Sequence, residues 1–121
     1  MWDTHWRIGG TMGTGLQSDH CTKTPSVATP ADPACVGAFL LMHITTQASI
    51  YMENNWGWVA DHELDLPNEN QINLYNARGI LIESRKGVWV YGSSFEHSVF
   101  YNYQIANAKN VYMSIIQSET A

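Results

Sequence analysis

The sequence has little charge, and least of all positive charge. Lysine and arginine together number six in 121 residues, against 11 aspartates and glutamates, which gives a formal net charge of -5. Because proteins that bind nucleic acids gain much of their affinity from basic side chains that neutralise phosphates, we expect no nucleic-acid partner. Neutral ligands such as sugars, which stack on aromatic rings, suit this composition better, since aromatic residues make up 12% of the chain.

The sequence also lacks a long apolar run. The longest, residues 36–42, is interrupted by Gly37, whereas a helix that crosses a bilayer needs about 20 apolar residues. We therefore expect no transmembrane helix and no membrane partner. The first residues show no basic segment followed by an apolar one, so no signal peptide is predicted within this chain.

Only two cysteines, Cys21 and Cys35, are present, and they bracket a polar segment that contains three prolines. Residues 21–35 are predicted to form a surface loop that a disulfide could close, which the chain-entropy model values at about 3 kcal/mol. Two separate thiols, or one free and one buried, are the alternative. No second Cys/His pair completes a zinc site. The acidic segment 61–65 lacks the glycine of a calcium loop and is predicted to be solvated, so we expect no metal and no cofactor.

No stretch of the sequence keeps an apolar period of 3.6 residues, so helices should be few. From residue 36 onward the chain shows short alternating runs rich in β-branched and aromatic residues, which are typical of strands. These patterns predict one all-β domain over residues 1–121. The predicted strands are 38–44, 49–52, 71–75, 79–83, 87–91, 98–103 and 110–116.

An internal repeat indicates how these strands are arranged. Residues 76–82 recur in similar form as residues 107–113. A repeated turn and strand is typical of a solenoid, in which each coil packs against its neighbours. We predict parallel pairing of the strand at Ile80 with a neighbouring coil, and turns at Asn76 and Asn107, where asparagine tolerates left-handed conformations. A β-sandwich of about seven strands is the alternative.

Two glutamates near the C-terminal end, Glu96 and Glu119, are separated along the chain by about one coil of a parallel β-helix. On neighbouring coils their carboxylates would stack beside an aromatic surface; two solvated glutamates are the alternative. Trp56 and Trp58 share one face of an extended strand, where they could form a sugar-stacking surface or pack in the core. His97 directly follows Glu96, so in a strand it would point to the opposite face.

Five segments are similar, in the same order, to the fungal exo-β-1,3-glucanases of glycoside hydrolase family 55, within the pectate-lyase-like β-helix superfamily. They are residues 2–10, 56–63, 79–84, 95–99 and 116–120. The resemblance implies a right-handed parallel β-helix. In the family two such β-helices lie side by side around the sugar cleft, and this chain resembles part of the second. The first β-helix domain of a complete enzyme would then be a missing partner.

The resemblance also implies an activity and roles for four residues. The activity is that of a secreted, exo-acting, inverting hydrolase whose substrate is a laminarin-like β-1,3-glucan. Glu119 would be the general acid and Glu96 a second active-site carboxylate. Trp58 or its neighbour Trp56 would line a sugar subsite.

The implied pair of carboxylates is too close to serve as the acid and the base of an inverting enzyme. Backbones on adjacent coils lie about 4.8 Å apart, whereas the acid and base of inverting enzymes are roughly 6.5–9.5 Å apart. We therefore interpret Glu96 as a residue that sets the pKa of Glu119 or binds sugar, and place the base in the missing domain. A non-catalytic carbohydrate-binding or structural β-helix fragment is the rival interpretation, and an incomplete gene product without its own function is a third. The extracellular location of the family also implies a disulfide between Cys21 and Cys35.

Overall fold

The protein is built of short strands, as seen in a computed structural model that describes residues 1–24, 27–28 and 30–121. Within these residues there are ten strands and one three-residue 3-10 helix, Pro33–Cys35. No helix of this described part is long and apolar enough to cross a membrane. The all-β prediction is confirmed. The strands are β1 His5–Ile8, β2 Val36–Ile44, β3 Ile50–Glu53, β4 Trp56–Val59, β5 Tyr75–Ile82, β6 Val88–Tyr91, β7 Ser94–Glu96, β8 Tyr101–Ile105, β9 Val111–Ser114 and β10 Gln117–Glu119.

The strands form three sheets in which the named strands all pair in parallel. The first sheet has the order β1-β4-β7-β10, the second β2-β5-β8 and the third β3-β6-β9. The chain therefore visits the three sheets in turn, and strands that are neighbours in one sheet are three elements apart in the chain. The alternative of an antiparallel sandwich is wrong.

The predicted parallel pairing at Ile80 is confirmed, but the repeat that suggested it gives the wrong register. Ile80 pairs with Met42 on one side and with Tyr103 on the other, so the coil before it takes up more of the chain than the coil after it. The offset of the repeat would align Ile80 with Val111, which lies in the third sheet and pairs with Val88. The turns between strands differ in length, so no single period describes the chain.

The predicted strands mark the second and third sheets and omit the first. The prediction at 71–75 is wrong: Gln71 and Ile72 form isolated antiparallel bridges, and the strand begins at Tyr75. Glu96 and Glu119 are the last residues of the strands β7 and β10. Strands of the first sheet are only three or four residues long.

The two asparagines of the repeat have different environments. Asn107 has a positive φ of 53°, as predicted for a turn. Asn76 is instead inside β5 and fully buried. Its side-chain amide donates to the carbonyl of Arg78 at 2.6 Å and to Oγ of Ser98 at 3.0 Å. The buried amide thus links β5 to the segment that follows β7, and the predicted turn at Asn76 is wrong.

Side chains from all three sheets meet in one apolar core. Its buried members are Ile44, Met52, Ile80, Ile82, Val88, Val90 and Phe95. Burial of each such side chain is worth about 1.5–3 kcal/mol. Phe95 is the member from the first sheet, and it lies against Gly57 of β4, where a Cβ atom would come within 2.5 Å of the ring. Glycine at this position lets the large ring of β7 pass beneath the neighbouring strand.

The cysteine-bracketed loop packs against β4 of the first sheet. Cys21 and Cys35 form a disulfide, and both are buried in a second apolar cluster with Trp58, Ile72 and Leu74. Three residues of the loop, Pro25, Ser26 and Thr29, lie outside the described residues.

The acidic segment 61–65 is not the solvated loop that its composition predicts. Glu63 is 1% exposed, and its Oε1 accepts hydrogen bonds from the backbone N–H and the hydroxyl of Ser18, both at 2.8 Å. Asp65 forms an ion pair with Arg7 at 3.0 Å. Glu63 therefore joins this segment to Ser18, and Asp65 joins it to Arg7 of β1.

Candidate functional site

The two glutamates are direct neighbours on the last two strands of the first sheet. Glu96 at the end of β7 pairs in register with Glu119 at the end of β10. Two residues earlier, Ser94 pairs with Gln117, and on its other side with Trp56 of β4. Because side chains alternate along a strand, all five residues project from the same face of the sheet.

Glu96 is a buried carboxylate held by three donors. Its side chain belongs to a residue that is 6% exposed. Its Oε2 accepts from the indole Nε1 of Trp56 at 3.0 Å, and its Oε1 accepts from Nε2 of Gln117 at 3.0 Å. The hydroxyl of Ser94 donates to the same Oε1. The indole N–H of Trp56 and the amide nitrogen of Gln117 can only donate, so these contacts suit a carboxylate that accepts hydrogen bonds and has a single orientation.

Glu119 has the opposite character. Its side chain is 60% exposed, and its Oε1 lies 3.8 Å from Nε2 of His97. Its backbone is fixed, because the carbonyl of Glu119 accepts from the backbone N–H of His97 at 3.0 Å and from the side-chain amide of Asn102 at 2.7 Å. The site therefore combines one rigid, hydrogen-bonded carboxylate with one that is open to solvent and free to turn.

His97 joins this pair, and the prediction that it points to the opposite face is wrong. Strand β7 ends at Glu96, and His97 has a positive φ of 60°, so the alternation of the strand does not continue. Its Nδ1 lies 3.0 Å from the carbonyl of Val59. A carbonyl only accepts, so Nδ1 carries a proton and donates to it, and in the neutral ring Nε2 is then the nitrogen with the lone pair. That Nε2 faces Glu119.

The two tryptophans stack on each other but differ in exposure. Their ring centroids are 4.9 Å apart and the rings are within 24° of parallel. Trp58 is 4% exposed and belongs to the apolar cluster beside the disulfide, whereas Trp56 is only half-buried. His5 contacts the edge of Trp56 at a centroid distance of 5.5 Å. Trp58 thus supports Trp56 from behind, and the accessible aromatic surface belongs to Trp56.

Two open cavities lie at this face, and one of the two site glutamates lines each. The first, of about 700 Å³, is bounded by His5, Asn54, Trp56, Ser94, Glu96 and Gln117. The second, of about 430 Å³, is bounded by Asp61, Tyr75, His97 and Glu119 among others. Neutral hydrogen-bonding groups and one indole dominate the first cavity, which is a lining that suits an uncharged polar ligand.

Tyr103 of β8 contacts the backbone on both sides of the Glu96 site. Its ring contacts Phe95 edge-on at 5.5 Å, and its hydroxyl lies within hydrogen-bonding distance of the carbonyls of Ser93 and Gln117, at 3.0 and 2.9 Å. Burial, together with the negative charge of Glu96, raises the pKa of Tyr103 to about 12. The phenol therefore stays protonated at any ordinary pH and acts as a donor that ties β10 to the core.

Sequence reasoning found the two carboxylates and the indole but missed Ser94 and Gln117. Both lie two positions before a site glutamate, so the interval between them in the chain equals the interval between the glutamates themselves. The repeated pattern of a polar residue, any residue and a glutamate was the available signal. The spacing by two places each polar residue on the face of its glutamate.

Comparison with known proteins finds glucanases of fungi. The chain is 62% identical over 120 residues to a probable glucan endo-1,3-beta-glucosidase of Arthroderma benhamiae, which covers 99% of this chain and 14% of that protein. It is 40% identical over 121 residues to a glucan 1,3-beta-glucosidase of Cochliobolus carbonum, again 99% of this chain and 15% of the relative.

A relative with a different name matches equally fully. A non-secreted LysM effector, LysM15 of Penicillium expansum, is 52% identical over 120 residues, which are 99% of this chain and 8% of that protein. No protein-family model matches the chain. The chain thus spans about one seventh or less of the length of these curated relatives and is similar to one segment of each.

Proposed function

We propose that this chain is part of a secreted β-1,3-glucan hydrolase of glycoside hydrolase family 55, and that Glu119 is its general acid. The observation that carries the proposal is the registered pair of glutamates, of which one is buried and clamped and the other is exposed. The names of the glucanase relatives support a β-1,3-glucan as substrate. The order of strands in the three parallel sheets supports a parallel β-helix, because each coil of such a helix adds one strand to each sheet. Its right hand is proposed from the family resemblance.

The assignment of the acid to Glu119 follows from the difference between the two carboxylates. A general acid must approach the glycosidic oxygen and exchange its proton with solvent. Glu119 is exposed and has no side-chain donor bound to it at hydrogen-bonding distance among the described residues. Glu96 is enclosed, and donors occupy both of its oxygens. We assign Glu96 the role of a second active-site carboxylate that is held in one orientation beside Glu119.

The close approach of the two glutamates bears on the stereochemistry. One oxygen of each carboxylate lies within 4.8 Å of the other, which is shorter than the roughly 6.5–9.5 Å that an inverting pair needs to admit water. Retaining enzymes have closer pairs, but their second carboxylate must be free to attack the sugar, and Glu96 is not. We therefore propose inversion with a base supplied by a domain outside this chain. The anomer that forms first, observed by proton NMR, decides between the two courses.

Trp56 is proposed to form the floor of a sugar subsite in the larger cavity. Its indole is half-buried, is backed by Trp58 and is fixed by its hydrogen bond to Glu96. A flat, immobile ring loses little conformational entropy when a sugar stacks on it. Exo action, as in the family that the sequence resembles, would release glucose from laminarin from the first turnover.

The experiment places this segment in a complete protein, by replacing the matching 120 residues of the Arthroderma benhamiae relative. Glu119→Gln keeps the size of the side chain but cannot donate a proton, so we expect laminarin hydrolysis to fall about 10²- to 10⁴-fold. Glu69→Gln, at an exposed position away from the site, is the matched control. The rate of hydrolysis of an aryl glucoside whose leaving group needs no proton should fall much less in Glu119→Gln. Near-normal hydrolysis of laminarin by Glu119→Gln would rule out this acid.

A second candidate function is a β-helix that binds carbohydrate without cleaving it. The similarity to LysM15 favours it, because that relative carries the same segment under a name that is not that of a hydrolase. The same replacement experiment separates the two. A complete protein that retains laminarin on an affinity column but releases no sugar would support the binding function.

A further inference from the structure

Three side chains at the edge of the first sheet bring metal-ligating atoms together. Glu96, His97 and Glu119 each offer one such atom, and these three atoms lie within 4.8 Å of one another. We propose that they form a binding site for a first-row transition-metal dication, represented by Zn²⁺, and that the bound ion switches the glutamate pair off. The ion is an inhibitor in this proposal and takes no part in the reaction.

The ring of His97 is oriented for metal binding by a hydrogen bond to a residue other than the two glutamates. Metal-binding histidines usually donate the N–H of the other ring nitrogen to a carbonyl or carboxylate, which fixes the tautomer and the direction of the ring. Nδ1 of His97 has this partner in the carbonyl of Val59, at 3.0 Å. The side chain is 12% exposed, so the ring has little freedom, and its Nε2 lies 3.8 Å from Oε1 of Glu119.

The two carboxylates complete the set in different ways. Oε2 of Glu96 accepts one hydrogen bond, from Trp56, and keeps a second lone pair for an ion. Glu119 is 60% exposed and can turn toward it. In a tetrahedral zinc site with bonds of about 2.1 Å, ligand atoms are roughly 3.4 Å apart. The 3.8 Å between Nε2 of His97 and Oε1 of Glu119 is close to that value, and the exposed Glu119 side chain can turn to adjust it.

The ligand chemistry selects the class of ion. Imidazole with carboxylates suits zinc and similar transition metals, whereas calcium and magnesium prefer sets of oxygen ligands and, for calcium, six to eight of them. The exposure of Glu119 leaves one side of the site open to water, which supplies a fourth ligand. We therefore expect Zn²⁺ to bind with a stoichiometry of one, and Ca²⁺ not to bind.

The effect on hydrolysis rests on the function proposed above. A lone pair of Glu119 that binds the ion cannot hold the proton that the leaving oxygen needs, and the ion also neutralises the charge of Glu96. Zn²⁺ should therefore inhibit the metal-free enzyme, and a chelator should restore the full rate.

The test is calorimetric titration of ZnCl₂ into the complete replacement protein, without a histidine tag and with metals removed. The informative variant is His97→Asn. Asparagine tolerates the left-handed backbone of this position and offers its amide N–H to the carbonyl of Val59, but it has no atom in place of Nε2. We expect Zn²⁺ affinity to fall at least tenfold.

The matched control is His43→Asn. His43 lies 2.8 Å from Glu83, so it also pairs with a carboxylate, but no third ligand is grouped with them among the described residues. This control should bind Zn²⁺ as the parent protein does, and Glu119→Gln should weaken binding as His97→Asn does. Unchanged Zn²⁺ binding in both site variants, or no binding to the parent at about 1 mM, overturns the proposal.

The outcomes also separate this site from the proposed activity. Binding of Zn²⁺ that depends on His97 but leaves hydrolysis unaffected would support the metal site and contradict Glu119 as the acid. Loss of hydrolysis in Glu119→Gln, together with absence of Zn²⁺ binding, would support the acid and contradict the metal site.

Discussion

The hydrogen bond between Trp56 and Glu96 is the contact whose removal tests the site most directly. Trp56→Phe deletes the indole N–H that reaches Oε2 of Glu96 at 3.0 Å and keeps an aromatic ring on Trp58. Glu96 is 6% exposed, so water cannot fully replace the lost donor. A hydrogen bond to a charged group is worth about 1.5–3 kcal/mol, and we expect a loss of that size in the free energy of unfolding.

A double-mutant cycle isolates this bond from the loss of ring area. In a Glu96→Gln background the acceptor is neutral, and the same bond is worth only about 0.5–1.5 kcal/mol. The expected coupling energy between the two substitutions is therefore about 1–2 kcal/mol, measured by denaturant unfolding of the complete replacement protein. Coupling below about 0.3 kcal/mol, which is the usual error of additivity, would refute a hydrogen bond of structural weight.

The same variant separates the two roles of Trp56 in hydrolysis. If the indole positions Glu96, Trp56→Phe should lower kcat with laminarin and leave KM nearly unchanged, because phenylalanine still offers a stacking surface. A raised KM with normal kcat would show that the ring serves sugar binding alone and that Glu96 keeps its orientation without it.

Three further predictions concern the fold around the site. Cys21 and Cys35 should give no free thiol in unfolded, non-reduced protein, and reduction should cost about 3 kcal/mol; two titratable thiols would contradict this pairing. Gly57→Ala should destabilise the protein by about 1–3 kcal/mol through its collision with Phe95, and unchanged thermal unfolding would argue against that contact. The folded pKa of Tyr103 is raised from 10.0 to about 12, so the stabilisation due to its protonated phenol is complete below pH 10 and is lost as the pH rises from 10 to 12. The free energy of unfolding of Tyr103→Phe should lack this pH dependence.

The sequence predicted the parts of the fold whose signal is local. Alternation in β6, where Val88 and Val90 are buried and Trp89 and Tyr91 are exposed, gives a strand by inspection. The spacing of one coil placed Glu96 beside Glu119 correctly, because the coil between β7 and β10 contains only short turns. Earlier coils contain longer loops between their strands, and the register of strand pairing there depends on how many residues each loop contains. That number is set by tertiary packing and has no local signature.

The candidate site divides in the same way. A residue's face on a strand follows from counting by twos, so Trp56 and Trp58 could be placed together, but which ring is covered depends on the loop that packs behind Trp58. His97 shows the limit most clearly, because counting is valid only while the strand lasts. A single left-handed residue after β7 brings its ring back beside Glu119, and nothing in the neighbouring residue types marks that position as a turn. The position of the His97 ring therefore depends on one backbone dihedral. His97→Val disfavours positive φ, so it should lower the free energy of unfolding more than His97→Asn, whose side chain tolerates that conformation. Equal stability of the two variants in denaturant unfolding would argue against this dependence.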